Sequence, residues 1–522
     1  MVRNLDFHDT IHLNKLQKNM KTDIRSLSKK EELCIEADKN RNFYQVQAKL
    51  YNKLIRNEIT KEYKTGELDT LHHVDGEAKA ICHHYGIEER VNKYSEKASY
   101  ITLKDHKSDF VANPRCRLIN PAFSEIGKIS KSILDRIIPE IQAKLKLPQW
   151  KNSYEVIRWF EAIDRTDAMF IKLDIESYYP SISINLLNKV LDFAKEYSSI
   201  RDIEITTILN ARKCFLFNDD KIWIKKSSGK HSPFDITMGS LDGCEVSDIV
   251  GLYLLFLLRT VLGDKVNYLG LYRDDILAIM HFNGQEIERI RKSICSIFKN
   301  EGLSITWDTP PSKEIDFLDI KFNLIDGTYK PYRKPNDTLL YLSTMSDHPP
   351  CIKRSLPSMA EQRISRRCSD ENIFMDEKLP YERALESAGY KNVNLRYNPN
   401  LRMGKNKDKP NHKRQVVWFN PPFSSIVKTK VGKCFFNILE KNFPKDHPLR
   451  NILDRNHIKL SYCCMSNMHT IIKNQNRRKL DALKNLRTQV NSAKSCNCRN
   501  FVIYFNRAKF LHLFQCHQNE LL

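Results

Sequence analysis

Ten residues constrain this chain most tightly: Leu271-Tyr272-Arg273-Asp274-Asp275-Ile276-Leu277-Ala278-Ile279-Met280. Two adjacent carboxylates interrupt two apolar, β-prone runs, Val266 to Tyr272 and Ile276 to Met280. Such flanks suit buried pleated strands and Asp accepts turn geometry, so the stretch reads as a β-hairpin with the acids at its tip. Carboxylates held side by side repel each other, and a divalent cation relieves the repulsion. An ordinary Asp-Asp turn has the same local text. A third acid in a matching strand is what separates the two readings.

That acid is Asp174, which stands at the end of a short apolar strand, Met169 to Leu173. Tyr178-Tyr179-Pro180 then breaks the strand ahead of a helical stretch, Ile184 to Tyr197. A strand-end acid plus an Asp pair can hold two Mg²⁺ ions. In nucleotidyl transfer such ions lie roughly 3.5–4 Å apart, one activating a 3′ hydroxyl and both stabilising pyrophosphate. Hard oxygen ligands without a dedicated cage suit Mg²⁺, with Mn²⁺ as a substitute, rather than zinc.

Tyr272-Arg273-Asp274-Asp275 resembles the Y-x-D-D signature of reverse transcriptases, and Asp174 followed by Tyr179 resembles the acid and aromatic of their first palm motif. The resemblance covers roughly residues 30 to 500. It implies an α+β right-hand polymerase with fingers, a palm built on an antiparallel sheet, and a thumb, behind a helical N-terminal extension. It also implies RNA-directed DNA synthesis: extension of a DNA primer on an RNA template with dNTPs, through an RNA–DNA hybrid. Asp174, Asp274 and Asp275 then carry the catalytic metals, and the main-chain carbonyl of Ile175 adds a ligand. Tyr179 would lie under the sugar and clash with a ribose 2′ hydroxyl, which opposes the related reading of an RNA-directed RNA polymerase.

Upstream, Ala98 to Lys107 is an apolar strand running into basic residues, and Pro114-Arg115-Cys116-Arg117-Leu118-Ile119-Asn120-Pro121 returns after a loop. This resembles the fingers hairpin of the same family. Arg117 takes the nucleotide role, because a planar guanidinium binds phosphate bidentately, and Lys104 or Lys107 takes a phosphate role. Phe234 to Gly243 precedes an apolar helix and resembles the second palm motif, with Gly239 at the turn that approaches base or template. Penelope-like chains often carry Ala-Pro or Ser-Pro after that turn, where this chain has Glu245-Val246.

Two motifs narrow the resemblance to Penelope-like retroelement polymerases: Tyr332-Arg333-Lys334-Pro335 and Ser346-Asp347-His348-Pro349-Pro350, at the entry to the thumb. Ala37-Asp38-Lys39 and Ser461 to Met468 resemble further pieces of those chains. The domains expected are a helical basic extension over 1–90, fingers and palm over 91–340, a thumb-like helical region and linker over 341–415, and a C-terminal region over 416–522. Residues 1 to about 30 read as a loosely ordered arm, Val46 to Ile59 as a helix, Ile315 to Phe322 as one strand, and Ile426 to Leu439 as a helix. Arg354, Arg363, Arg366 and Arg367 suit a thumb that grips hybrid phosphates.

Lys and Arg total 85 against 63 acids, a formal charge of +22, and so lopsided a balance argues for a polyanionic partner, nucleic acid before membrane. The longest apolar run, Ile249 to Leu258, falls short of the ~20 residues of a spanning helix, so no membrane partner is expected. Without an apolar signal region, and with 14 scattered cysteines, the chain reads as intracellular, nuclear or cytoplasmic, and not secreted. Cys496-Asn497-Cys498 resembles the start of the zinc-type linker that leads, in the wider family, to a GIY-YIG nuclease. That nuclease is not expected here, nor is bound zinc, because adjacent Cys516 and His517 are poorly disposed to share one tetrahedral ion with Cys496 and Cys498. The missing nuclease and altered second motif favour a competing expectation, a catalytically inactive, retroelement-derived nucleic-acid-binding protein. The intact acids oppose it.

Overall fold

Basic text at the N-terminus hides a helix. The computed structural model describes residues 6, 14–39, 42–90, 98–105, 109–122, 124–229, 232–281, 284–307, 310–334, 338–401, 416–465 and 467–490. Helix α1 runs Lys15–Lys29, which corrects the expectation of a loosely ordered arm for those residues. Met20, Ile24 and Leu27 recur at helix spacing among the lysines and join Cys34, Phe43, Met468 and Ile472 in one apolar cluster. Asn14 caps the helix reciprocally with Gln17. Val46 is a second correction. Strand β1, Leu33–Glu36, pairs antiparallel with β2, Phe43–Val46, and helix α2, Ala48–Glu62, starts only after them. All four residues of β2 are buried, and that packing overrides the helical spacing Val46 shares with the residues of α2.

The chain divides into two compact units. One comprises Ala37–Arg41 and Tyr51–Arg333, the other Met1–Glu36, Asn42–Leu50 and Lys334–Leu522. The first contains most of α2, then β3 (Tyr63–Thr65), α3 (Leu68–His84), β4 (Tyr100–Leu103), β5 (Cys116–Ile119), α4 (Glu125–Leu145) and α5 (Ser153–Ala162). There follow β6 (Met169–Ile175), the single turn α6 (Tyr178–Ser181), α7 (Ile184–Tyr197), α8 (Asp202–Asn210), β7 (Leu216–Asn218), β8 (Lys221–Lys225) and α9 (Gly243–Leu262). The unit ends with β9 (Leu269–Tyr272), β10 (Asp275–Met280), α10 (Gly284–Asn300), β11 (Ile305–Thr306), β12 (Glu314–Phe317), β13 (Ile320–Asn323) and β14 (Tyr329–Pro331).

Its centre is an antiparallel sheet in the order β11-β6-β10-β9, in an α+β arrangement with the helices. Alternate side chains serve two cores. Ile171, Leu173, Ile276 and Ala278 join residues of α4, α7, α9 and α10, whereas Phe170, Leu277 and Ile279 join α5 and β12 to β14. Burial on both faces is why the strand text is nearly continuous in apolar residues. Helix α9 and the turn after it are long and apolar enough to cross a membrane by length and composition. Here that character reflects Val246, Ile249, Val250, Leu254 and Leu258 packing in the first core.

The free edge of β9 is covered by residues 148–150: Trp150 N–H donates to Leu271 at 2.8 Å and Leu271 N–H to Pro148 at 3.0 Å. The Trp150 indole lies on Gly270 so closely that a Cβ there would come within 2.0 Å of the ring, which is why this strand carries a glycine. Ile315 to Phe322, expected as one strand, is two: β12 and β13 pair with Phe317 opposite Ile320 across a two-residue turn, Leu318-Asp319. The turn lacks the Gly or Asn that would have announced it.

In the second unit, α11 (Pro350–Ser365), α12 (Glu371–Glu377) and α13 (Leu379–Ser387) pack around Ile364, Phe374 and Leu385. Strand β15 (Val417–Phe419) runs parallel to β16 (Ile458–Leu460), and α14 spans Val431–Asn442, later than the expected Ile426 to Leu439. Helix α15, Met468–Val490, holds the N-terminal hairpin. Asn476 accepts from the Cys34 N–H and donates to its carbonyl, and Lys479 donates to the carbonyls of Leu27 and Glu32. Pro335, most of the expected linker, Cys496, Cys498, Cys516 and His517 lie outside the described residues.

Candidate active site

Strand register assembles the acids. On β6 and β10, Asp174 and Asp275 are direct cross-strand partners. By the alternation of the sheet they share the face of Phe170, Leu277 and Ile279, at the end where the second core no longer covers it, and both are partly exposed. Asp274 sits in the turn between β9 and β10, and its carbonyl accepts the Ile175 N–H at 3.0 Å. Ile175 itself is buried, so its side chain is core and only its backbone is at the site. Thr306 on β11 donates from Oγ1 to the Asp174 carbonyl at 3.3 Å. Among the described residues, no three His, Cys, Asp or Glu side chains already converge as a metal site. The backbone gathers Asp174, Asp274 and Asp275 at one sheet end.

The turn is strained. Tyr272 pairs with Asp275, leaving Arg273 and Asp274 as a two-residue loop, and Arg273 adopts φ 54°. A left-handed non-glycine residue costs of order 1–3 kcal/mol and persists only where its surroundings hold it. The Arg273 guanidinium lies 5.7 Å from the centre of the Tyr272 ring. It also borders a cleft with Asp248, Glu245, Trp150 and Lys151. Burial pushes the Asp248 carboxyl up to about 6, with Arg273 pulling it back down.

The two tyrosines of the first motif have different fates. Tyr178 is buried and donates to the Ser247 carbonyl on α9 at 2.9 Å, which makes it core. Tyr179 keeps an exposed flank. Its hydroxyl lies 3.4 Å from Ser247 Oγ and 3.8 Å from Cys244 Sγ, and burial of the phenol pushes its pKa up to about 12. The ring stands beside Gly243, where an added Cβ would be 3.6 Å away. So the ring expected under the sugar is held by the first turns of α9.

Gly239 has a packing reason to be glycine. Its φ is 118°, and a Cβ there would meet the Asn120 carbonyl at 2.5 Å. Asn120, just past β5, donates its N–H to Met238 and its side-chain amide to Phe215, each at 3.0 Å. The β4–β5 hairpin is thereby tied to the glycine turn. Below the turn, fully buried Arg212 and Asp242 form an ion pair that Ser130 on α4 completes. Glu245 and Val246 stand where the resemblance to Penelope-like chains predicts Ala-Pro or Ser-Pro. Glu245 pairs with Lys131 on α4, and Val246 is core, so the departure is accommodated inside the unit.

Strand β4 pairs with β5 and sets Thr102 opposite Arg117. Arg117 is about one-third exposed, and its Nε lies 3.2 Å from Oδ1 of Asp38, whose side chain is only 6% exposed. Lys104 is partly exposed, with its N–H on the Arg115 carbonyl. Lys107 lies outside the described residues. Sequence reasoning missed Asp38, Arg212, Asp242, Ser247 and Asp248. Asp38 alone left a signal, in the Ala-Asp-Lys piece; the others act through contacts between distant segments.

No family model and no curated protein matches the chain. Among solved structures, apo telomerase from Candida tropicalis is similar with a TM-score of 0.44 and 12% identity, over 63% of this chain and 64% of that one. Telomerase from Candida albicans in complex with a TWJ fragment of telomeric RNA gives 0.46 and 10% over 68% and 63%. The RNA-dependent RNA polymerase of a human picorbirnavirus gives 0.39 and 9% over 75% and 85%. The chain spans just under two thirds of the length of these telomerase chains.

Proposed function

We propose that the chain is an RNA-directed DNA polymerase of a Penelope-like retroelement, acting inside the cell on an RNA template, a DNA primer and dNTPs. One observation carries the reading: the register that sets Asp174 opposite Asp275, with Asp274 in the adjoining turn. Three carboxylates at a sheet end are a donor set for Mg²⁺, which when bound would supply charge neutralisation and a more acidic primer hydroxyl. Asp174, Asp274 and Asp275 would hold it, and the Ile175 carbonyl is adjacent in the chain. Arg117 offers its guanidinium to the phosphates, with Lys104 and Lys107 nearby in sequence. Tyr179, fixed through its hydroxyl, presents a ring flank that suits a deoxyribose and crowds a 2′ hydroxyl. The charge of +22 suits the hybrid's phosphates.

The test is dTTP incorporation by the purified protein on oligo(dT)-primed poly(rA) with Mg²⁺, beside an Asp274→Asn protein. Synthesis by the wild type alone is the expected result. Synthesis that survives Asp274→Asn overturns the assignment of the acids. No synthesis, with salt-sensitive hybrid binding retained, overturns the polymerase reading in favour of a non-catalytic binder.

A further inference from the structure

Asp38 comes from a segment far from the fingers hairpin in sequence, yet it is built into that hairpin. Ala37 bridges Leu103 in parallel, and the Asp38 N–H donates to the Leu103 carbonyl at 2.8 Å. Residues 37 and 38 therefore extend β4 on the side away from β5. This places the Asp38 carboxylate against the cross-strand pair Thr102 and Arg117. Oδ1 lies 3.2 Å from Arg117 Nε and 3.5 Å from Thr102 Oγ1. Oδ2 is buried and has no hydrogen-bond partner.

A carboxylate is costly to bury, and this one is buried with one oxygen unsatisfied. Stability alone gives no reason for it, because an apolar residue at the strand edge would pack without that cost. Its effect on Arg117 does give a reason. An arginine has a long, rotamer-rich side chain and a planar fork of five donors. Gripping Nε fixes the plane and direction of the fork and leaves the outer nitrogens for a second anion. Two oxygens of a phosphate match that remaining edge.

We propose that Asp38 is the positioning residue for Arg117. It holds the guanidinium so that its outer edge meets the triphosphate of the incoming nucleotide, and does not itself touch substrate. The inference rests on the polymerase reading for the identity of that anion. Asp38 pre-orients the arginine, so its loss weakens nucleotide binding more than the chemical step.

The experiment compares wild type, Asp38→Asn, Asp38→Ala, Arg117→Ala and the Asp38→Ala/Arg117→Ala double variant in single-nucleotide incorporation of dTTP on primed poly(rA). Alongside it, dTTP binding is measured on full-length protein complexed with a chain-terminated primer on poly(rA), where no turnover occurs. Both Asp38 variants are expected to raise KM and Kd for dTTP about tenfold while kcat changes less than about threefold. Asp38→Asn preserves the side chain's volume, so a native melting curve for it separates positioning from misfolding. The double variant is expected to be no worse than Arg117→Ala, since Asp38 acts through that arginine. Active protein whose KM is unmoved by both Asp38 variants, or a double variant that is additively worse, overturns the proposal and leaves the polymerase reading standing. Protein that binds dTTP in an Asp38-dependent way without incorporating it supports the proposal and overturns the polymerase reading. Wild type that binds no dTTP overturns both.

Discussion

The unit holding the acids contains the same hairpin twice. Tyr272-Arg273-Asp274-Asp275 joins β9 to β10, and Phe317-Leu318-Asp319-Ile320 joins β12 to β13. Each has a two-residue loop, a bulky first loop residue in the left-handed region (Arg273 at φ 54°, Leu318 at 55°), and an Asp second. Their partners differ. β10 pairs on its other side with β6, which delivers Asp174 opposite Asp275, whereas β13 pairs on its other side with β14, where Ile320 meets Pro331. The tight turn is thus a local solution for reversing a strand. A cluster of carboxylates appears only where a neighbouring strand supplies a further acid at the same level.

The most severe way to break this comparison is to neutralise an equivalent acid in each hairpin. Asp274→Asn is expected to lower incorporation about a thousandfold, the scale of losing an electrostatic stabiliser of the transition state. Asp319→Asn is expected to leave it within about threefold, as a substitution away from the reacting centre. The readout is the single-turnover rate of dTTP addition with saturating primer-template. Comparable losses in both proteins would mean that the second hairpin belongs to the reacting centre.

The same contrast separates the features legible in the amino-acid sequence from those that are not. The acids, Tyr179, Arg117 and Gly239 are legible because each carries its own local signal: charge in apolar text, an aromatic behind an acid, an Arg in a returning strand, a glycine at a turn. The α+β class and helices α4, α7 and α9 follow from periodicity. The hidden features depend on long-range register. Nothing in Ile315 to Phe322 announces a turn, because Leu318 is held in a conformation that propensity assigns to Gly or Asn. Nothing near Arg212 announces Asp242, and nothing near Arg117 announces Asp38, because those pairs exist only when distant segments meet. The N-terminal helix is obscured by its lysines, which solvate one face while Met20, Ile24 and Leu27 bury the other.

A smaller effect is expected from the group behind the first turn. Asp248 has its carboxyl raised by burial from an ordinary 3.8 to about 6. Between those values the folded protein retains a proton that the unfolded chain has released, so stability falls as pH rises through the window. The penalty is fully present above about pH 6 and absent below about pH 4. Asp248→Asn should therefore raise stability by about 1–2 kcal/mol at pH 8 and change it little at pH 4. Denaturant melts at the two pH values provide the check, and an equal shift at both would assign the effect to packing. Behind the second hairpin, Asp316 is also raised by burial, opposed by Lys321 and Lys172, so Asp316→Asn should act in the same direction.

The gentlest comparison replaces the left-handed residue in each turn with glycine. At φ near 55° glycine removes a strain of order 1 kcal/mol, but it also frees the unfolded chain by a similar amount, so the backbone terms nearly cancel. The side chain then decides the outcome. Arg273 contributes a partly exposed guanidinium over Tyr272, worth about 0.5–1 kcal/mol, and Arg273→Gly should shift stability by no more than about that. Leu318 packs its side chain onto the core formed by Phe317, Ile320 and Phe322, so Leu318→Gly should cost about 1–2 kcal/mol through lost apolar burial. Equilibrium unfolding at neutral pH ranks the two. If Arg273→Gly proves the more destabilising, the arginine is held by contacts stronger than the Tyr272 ring, and the strain in the first turn is maintained by the site itself.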